Sequence, residues 1–205
     1  MASEPRRGLL VDYGGVLTTN LFDSFRAFCT AEGIDPNEIG TRFRHDPETR
    51  EALIALEEGR LEEAEFEQRL GATLSVDPSR LIDRLFAGSS PEPAVVDAVL
   101  LARRQGVRTG LISNSWGTRR YDRARLTELF DGVVISGEVG MRKPAPEIYR
   151  MGAERIGLVP DECVFVDDLP FNLGPAQELG MATVHHTDPE RTVDELQQIL
   201  GLTLR

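Results

Sequence analysis

Three kinds of hydrophobic pattern follow one another along the chain. The first is a short unbroken apolar run, Leu9-Leu10-Val11, that stops at Asp12 and is followed by Tyr13, Gly14 and Gly15. Such a run, bounded by glycines, reads as a buried strand with a sharp turn at its end. The second pattern fills residues 20–88 and has helical spacing. Leu21, Phe22, Phe25 and Phe28 form one face, closed by Gly33. Asp46-Pro47 and Asp77-Pro78 read as caps followed by proline in the first turn. Leu53, Ile54 and Leu56, then Leu61, Phe66 and Leu70, then Leu81, Ile82, Leu85 and Phe86 mark further faces, with breaks at Gly59 and Gly71.

From Pro93 onward the pattern alternates. Strands are predicted at Val107–Ser113, Gly132–Ser136, Cys163–Val166 and Met181–Val184. Helices are predicted around Val95–Leu100 and over Tyr121–Phe130, Pro146–Ile156, Phe171–Leu179 and Val193–Leu200. Strand and helix in alternation predict an α/β fold, a doubly wound, Rossmann-like parallel sheet with right-handed crossovers. On this reading residues 1–19 and 89–205 form the core. Residues 20–88, which lack a strand pattern, form a small helical cap inserted into it.

Composition narrows the partners. The chain has 205 residues, 23 basic against 34 acidic, a formal charge of −11. That balance argues against a nucleic-acid or anionic-membrane surface, which needs a basic face. A phosphorylated small molecule remains compatible, because one local cation outweighs a distant field. The cysteines, Cys29 and Cys163, fit no metal or redox spacing and read as buried thiols of a cytoplasmic protein. Met1 to Gly8 lacks the apolar centre of a leader peptide, and no apolar run reaches membrane-spanning length. Monomer and homodimer both stay open.

The polar residues at strand ends carry the chemistry. The first strand ends in Asp12, the second in Ser113-Asn114, the third leads to Lys143, and the fourth ends in Asp167-Asp168 with Asn172 beyond. A parallel sheet brings the C-terminal ends of its strands to one edge, where α/β folds bind ligands. Several acids and a backbone carbonyl suit Mg²⁺, a hard cation that takes oxygen ligands. A lysine and a hydroxyl suit phosphate oxygens. A carboxylate held against phosphorus is a covalent nucleophile.

This order of motifs resembles the haloacid dehalogenase superfamily of hydrolases. The stretches LISNSW, GMRKPAPEIY and FVDDLPFNLGPAQELGM are similar to the branch containing the N-terminal phosphatase domain of soluble epoxide hydrolase. The resemblance implies a Mg²⁺-dependent phosphatase acting on a small phosphorylated metabolite through an aspartyl-phosphate on Asp12. It implies that Ser113 and Lys143 hold the phosphoryl group, and that Asp12, the Gly14 carbonyl, Asp168 and, less directly, Asp167 hold the metal. Asn172 would orient Lys143 or the acids, and Asn114 and Trp116 would stand at the substrate mouth.

One position departs from the family pattern. Gly14 stands where the family's general acid and base, a second Asp, is expected. A general acid contributes about 10²–10⁴-fold, a minor part of the acceleration of phosphate ester hydrolysis. Two other functions are therefore weighed: a metal-independent dehalogenase using Asp12, and a binding protein without catalysis. The acid pair Asp167-Asp168 favours phosphate over halide. The remaining polar groups read as structure: His185 and His186 as solvated or capping, Arg42 to His45 as a polar loop between helices, and Glu57 to Glu67 as a solvated acidic face.

Overall fold

The computed structural model describes residues 5–205; residues 1–4, part of the stretch read as lacking a leader, lie outside it. The core elements are β1 (Gly8–Val11), followed after the inserted helices by α6 (Pro93–Arg104), β2 (Arg108–Ser113), α7 (Arg123–Leu129), β3 (Gly132–Ile135), the single turn α8 (Ser136–Val139), α9 (Pro146–Arg155), β4 (Cys163–Asp167), α10 (Pro170–Glu178), β5 (Ala182–His185) and α11 (Pro189–Leu200). The inserted helices are α1 (Leu21–Glu32), α2 (Glu38–His45), α3 (Pro47–Glu57), α4 (Glu63–Leu74) and α5 (Leu81–Phe86).

The five strands form one sheet in the order β3-β2-β1-β4-β5, every neighbouring pair parallel. The predicted α/β fold is what the chain adopts. The two-residue period of β1 explains its layers. Leu9 and Val11 point into an apolar cluster with α6, α7 and α11, whereas Leu10 points into another with α9 and α10. With both faces covered, β1 has no polar position before Asp12.

Residues 20–88 contain no strand. Their helices enclose a third apolar cluster built on Phe28, Ile39, Phe66, Leu70, Leu81 and Ile82. Thr18 and Pro91 form a lone antiparallel bridge where the chain leaves the sheet and returns. Local signals act as expected at several ends. The Asn20 side chain accepts from the Phe22 amide, Asp46 accepts from Glu48, and Gly33 closes α1 in the left-handed region.

Two expectations fail here. Arg42, Phe43, Arg44 and His45 are not a loop but the last turn of α2, a short helix whose apolar face is only Ile39 and Phe43. Gly71 does not end its helix. It lies inside α4, where the Cβ of Pro78 stands 3.0 Å from the place a Gly71 side chain would take; the helix ends beyond it, at Ser75.

Candidate active site

Asp12 follows β1 at the carboxyl edge of the sheet. Its amide donates to the Val166 carbonyl, which fixes the residue beside the end of β4. Its carboxylate accepts from the Tyr13 amide at 2.7 Å. Lys143, fully buried, places Nζ 2.8 Å from Asp12 Oδ1 and 2.6 Å from Asp167 Oδ2. Burial works against the ammonium, but Asp12 and Asp167 together hold it charged, well above the ordinary lysine range. Burial pushes the Asp12 carboxyl upward, and Lys143 opposes it.

The two adjacent acids differ. Asp167 is saturated: it accepts from Lys143, from the Asn172 amide at 3.0 and 3.1 Å, and from the Leu169 amide at 2.9 Å. Asp168 has no ion pair among the described residues. Burial first, then the charges of Asp12 and Asp167, push its carboxyl up to about 7. Gly15 explains how Asp168 comes so close. At φ +77° it occupies the left-handed region, and a Cβ there would meet Asp168 Oδ2 at 2.5 Å.

Oxygens of Asp12, Asp167 and Asp168 lie within 4.8 Å of one another. Three carboxylates face one ammonium, an excess of two negative charges when all are ionised, and Asp168, half-buried, has no cation paired with it among the described residues. That donor set fits a hard divalent cation such as Mg²⁺.

Ser113 is buried at the end of β2, and its hydroxyl lies 2.8 Å from that of Tyr121. Asn114 was expected at the substrate mouth. It lines the cavity, yet its amide is committed to the Lys143 backbone: Oδ1 accepts from the Lys143 amide at 2.8 Å and Nδ2 donates to its carbonyl at 3.1 Å. The pairing fixes the lysine loop to the end of β2. Trp116 also lines the cavity, but its ring is packed among Phe25, Phe43, Phe66 and Phe86 at centroid distances of 5.4–5.5 Å.

A cavity of about 540 Å³ opens above this cluster, between the sheet edge and the inserted helices. Asp12, Gly14, Ser113, Lys143, Asp168 and Asn172 are at its floor. The reading of Glu57 to Glu67 as a solvated face needs correction. Glu57, the last residue of α3, is buried against the core, and Glu63 is largely covered. Glu57 Oε2 meets Arg142 Nε at 2.5 Å, and its carbonyl accepts from Ser136 Oγ. Burial pushes the Glu57 carboxyl up to about 7 against the pull of Arg142. Glu63 and Asp83 hold Arg120, each at 2.7 Å. These ion pairs join helices to core loops across long stretches of sequence, so no local pattern announces them. Tyr121, Glu57 and Arg142 are the site residues that the sequence reading missed. His185 is exposed and approaches the Asp168 carbonyl, and His186 is buried against Thr192, so neither enters the site.

Residues 7–180 match the family model described as haloacid dehalogenase-like hydrolase. The chain belongs to this family. It is 30% identical over 143 residues to bifunctional epoxide hydrolase 2 of Sus scrofa, a match that covers 66% of this chain and 25% of that protein. The chain thus spans about a quarter of the length of this larger relative. The sesquiterpene phosphatase astK of Aspergillus oryzae is 42% identical over 74 residues, covering 36% of this chain and 38% of the other. A haloacid dehalogenase family enzyme of Bacteroides thetaiotaomicron, solved with magnesium and inorganic phosphate, superposes with a TM-score of 0.63 at 25% identity, covering 88% and 93% of the two chains. No helix among the described residues is long and apolar enough to cross a membrane.

Proposed function

We propose that this chain is a Mg²⁺-dependent phosphatase that cleaves phosphate monoesters through a phosphoryl-enzyme formed on Asp12. The observation that carries the reading is the pairing of a buried, lysine-held carboxylate with an adjacent acid that has no cation of its own. A halide-displacing site has no need of that second acid. The relative named as a phosphatase and the magnesium and phosphate complex of the structural neighbour support the same reading.

In this proposal Asp12, Asp168 and the Gly14 carbonyl would hold Mg²⁺, with Asp167 at one remove. When bound, the ion would supply charge neutralisation for an anionic ester beside an anionic nucleophile. Lys143 and Ser113 hold the remaining phosphoryl oxygens, Ser113 being oriented by Tyr121. Asp12 attacks phosphorus, the bond from phosphorus to the ester oxygen breaks, and the leaving alkoxide takes up a proton from solvent water, since Gly14 offers no side-chain acid. Water then attacks the phosphoryl group, the acyl phosphate bond breaks to return Asp12 as a carboxylate, and inorganic phosphate leaves with one proton given back to solvent. Asp167 and Asn172 position Lys143, and Asn114 fixes the loop that carries it.

Acid quench during turnover, followed by peptide mass analysis, tests the mechanism. The result expected is one phosphoryl group on the peptide containing Asp12, absent from Asp12→Asn. Phosphate release with no such adduct, or with the adduct elsewhere, would refute the assignment.

A further inference from the structure

The walls of the cavity do not match its floor. Above the charged cluster the lining is apolar: Leu21 and Phe25 of α1, Phe43 of α2, Leu53 and Ile54 of α3, and Phe86 at the end of α5. The apolar surface reaches the reacting centre itself. Leu21 Cδ1 lies 2.6 Å from where a Cβ on Gly14 would stand, so a leucine occupies the space beside Asp12 where a polar side chain would project. The mouth continues the pattern. Among the described residues three large hydrophobic side chains are exposed, and two of them, Phe22 at 39% and Phe171 at 57%, line this mouth. Exposed apolar groups that cluster at one opening mark a binding site rather than chance.

A sugar or other polyol in this space would lose its hydration and gain few partners for its hydroxyls, because the surface that the walls present is mostly apolar. The polar groups that do line them are largely engaged. Glu57 pairs with Arg142, and Arg120 pairs with Glu63 and Asp83. Arg44 and Arg50 at the rim have no ion pair among the described residues and are placed to attract an anion as it enters.

We infer that the cavity takes the phosphate monoester of an apolar alcohol, with the phosphate on the charged floor and a hydrocarbon chain along the inner faces of α1, α2 and α3. The inference rests on the phosphatase reading for turnover, but not for binding. The volume lies within the range of sites that bury most of a drug-sized ligand. Each methylene withdrawn from water strengthens binding about three- to fourfold, the equivalent of ~0.8 kcal/mol.

A homologous series tests this: ethyl, butyl, hexyl and decyl phosphate, each below its aggregation concentration, beside glycerol phosphate, a hexose phosphate and a carboxyl-terminated hexyl phosphate. The expected result is a kcat/KM that climbs at least tenfold from butyl to decyl and exceeds that of both polyol phosphates. A flat series, or preference for a polyol phosphate, would overturn the inference. So would preference for the carboxyl-terminated chain over plain hexyl, since Arg44 and Arg50 would then read a second anion.

Binding is followed separately with the matching alkylphosphonates, which are not hydrolysed, through the fluorescence of Trp116, the sole tryptophan. Affinity that rises with chain length, with a change in Trp116 emission, supports the inference even if no ester is turned over. In that case the phosphatase reading fails alone. Leu53→Gln and, at the exposed rim, Phe22→Ser should each reduce the decyl-to-ethyl ratio several-fold. A ratio unchanged in both folded variants would contradict the assigned path.

Discussion

The floor and the roof of the cavity obey opposite rules. The floor is made from strand ends and buries charge: Lys143 between Asp12 and Asp167, with Asp168 beside them. The roof is made from helices and buries carbon, from Leu21 through Ile54 to Phe86. Burying charge costs free energy, and in the proposed function a phosphoryl group and a cation would complete the pairing that offsets it. Burying carbon is favourable at any position, so an apolar roof needs no such partner. One element contributes to both: Glu57 leaves the end of α3 and meets Arg142, the neighbour of Lys143.

Four changes would break or sharpen this contrast. The largest effect is expected at the floor. Asp12→Asn should lower phosphate release by on the order of 10³-fold or more while leaving the fold intact, because Lys143 keeps Asp167 as a partner. Phosphate assays and circular dichroism check the two halves of that statement. Lys143→Met should act on stability as well. It leaves Asp12 and Asp167 buried without their cation, which costs about 3–5 kcal/mol in a denaturant titration. Adding Asp167→Asn should recover part of that loss.

The third change tests the join between roof and floor. The Glu57 carboxyl stands at about 7 in the folded protein against a reference of 4.5. Between those values the native state keeps a proton that the unfolded chain has released. Stability therefore falls as pH rises through that window, by up to about 3 kcal/mol for this group. Glu57→Gln should remove that share of the pH dependence, seen as the difference between wild-type and variant denaturation midpoints. Parallel curves would show that Arg142 keeps Glu57 ionised throughout. The smallest effect is expected at Gly14→Asp. On sequence grounds it should not lower aryl phosphate hydrolysis, but the structure places Leu21 in the way. The single variant should stay within about tenfold of wild type, and Gly14→Asp with Leu21→Ala should exceed the single variant.

The same contrast explains what could be read from the chain. The floor was legible because Asp12, Ser113 and Asp168 stand at the ends of short apolar runs, which parallel topology carries to one edge, while Lys143, in the loop beyond α8, was marked by its Lys-Pro motif. Asp12, Ser113, Lys143 and Asp168 needed no knowledge of packing. The roof was not legible, because an amphipathic helix shows one apolar face whether that face meets another helix or an open cavity. Phe28 and Phe25 lie on the same face of α1, yet only Phe25 lines the cavity. The join escaped for a different reason: Glu57 and Arg142 are far apart in sequence and each resembles an ordinary surface charge. Helix α2 escaped because its apolar face is only Ile39 and Phe43, one turn of period inside a short, otherwise polar segment.

Release of phosphate from an aryl phosphate by the wild-type protein, before chelation, after it, and after Mg²⁺ is restored, tests the central claim most directly. The account predicts release that vanishes with the metal and returns with it. Undiminished release after thorough chelation would contradict the role given to Asp168 and its neighbours.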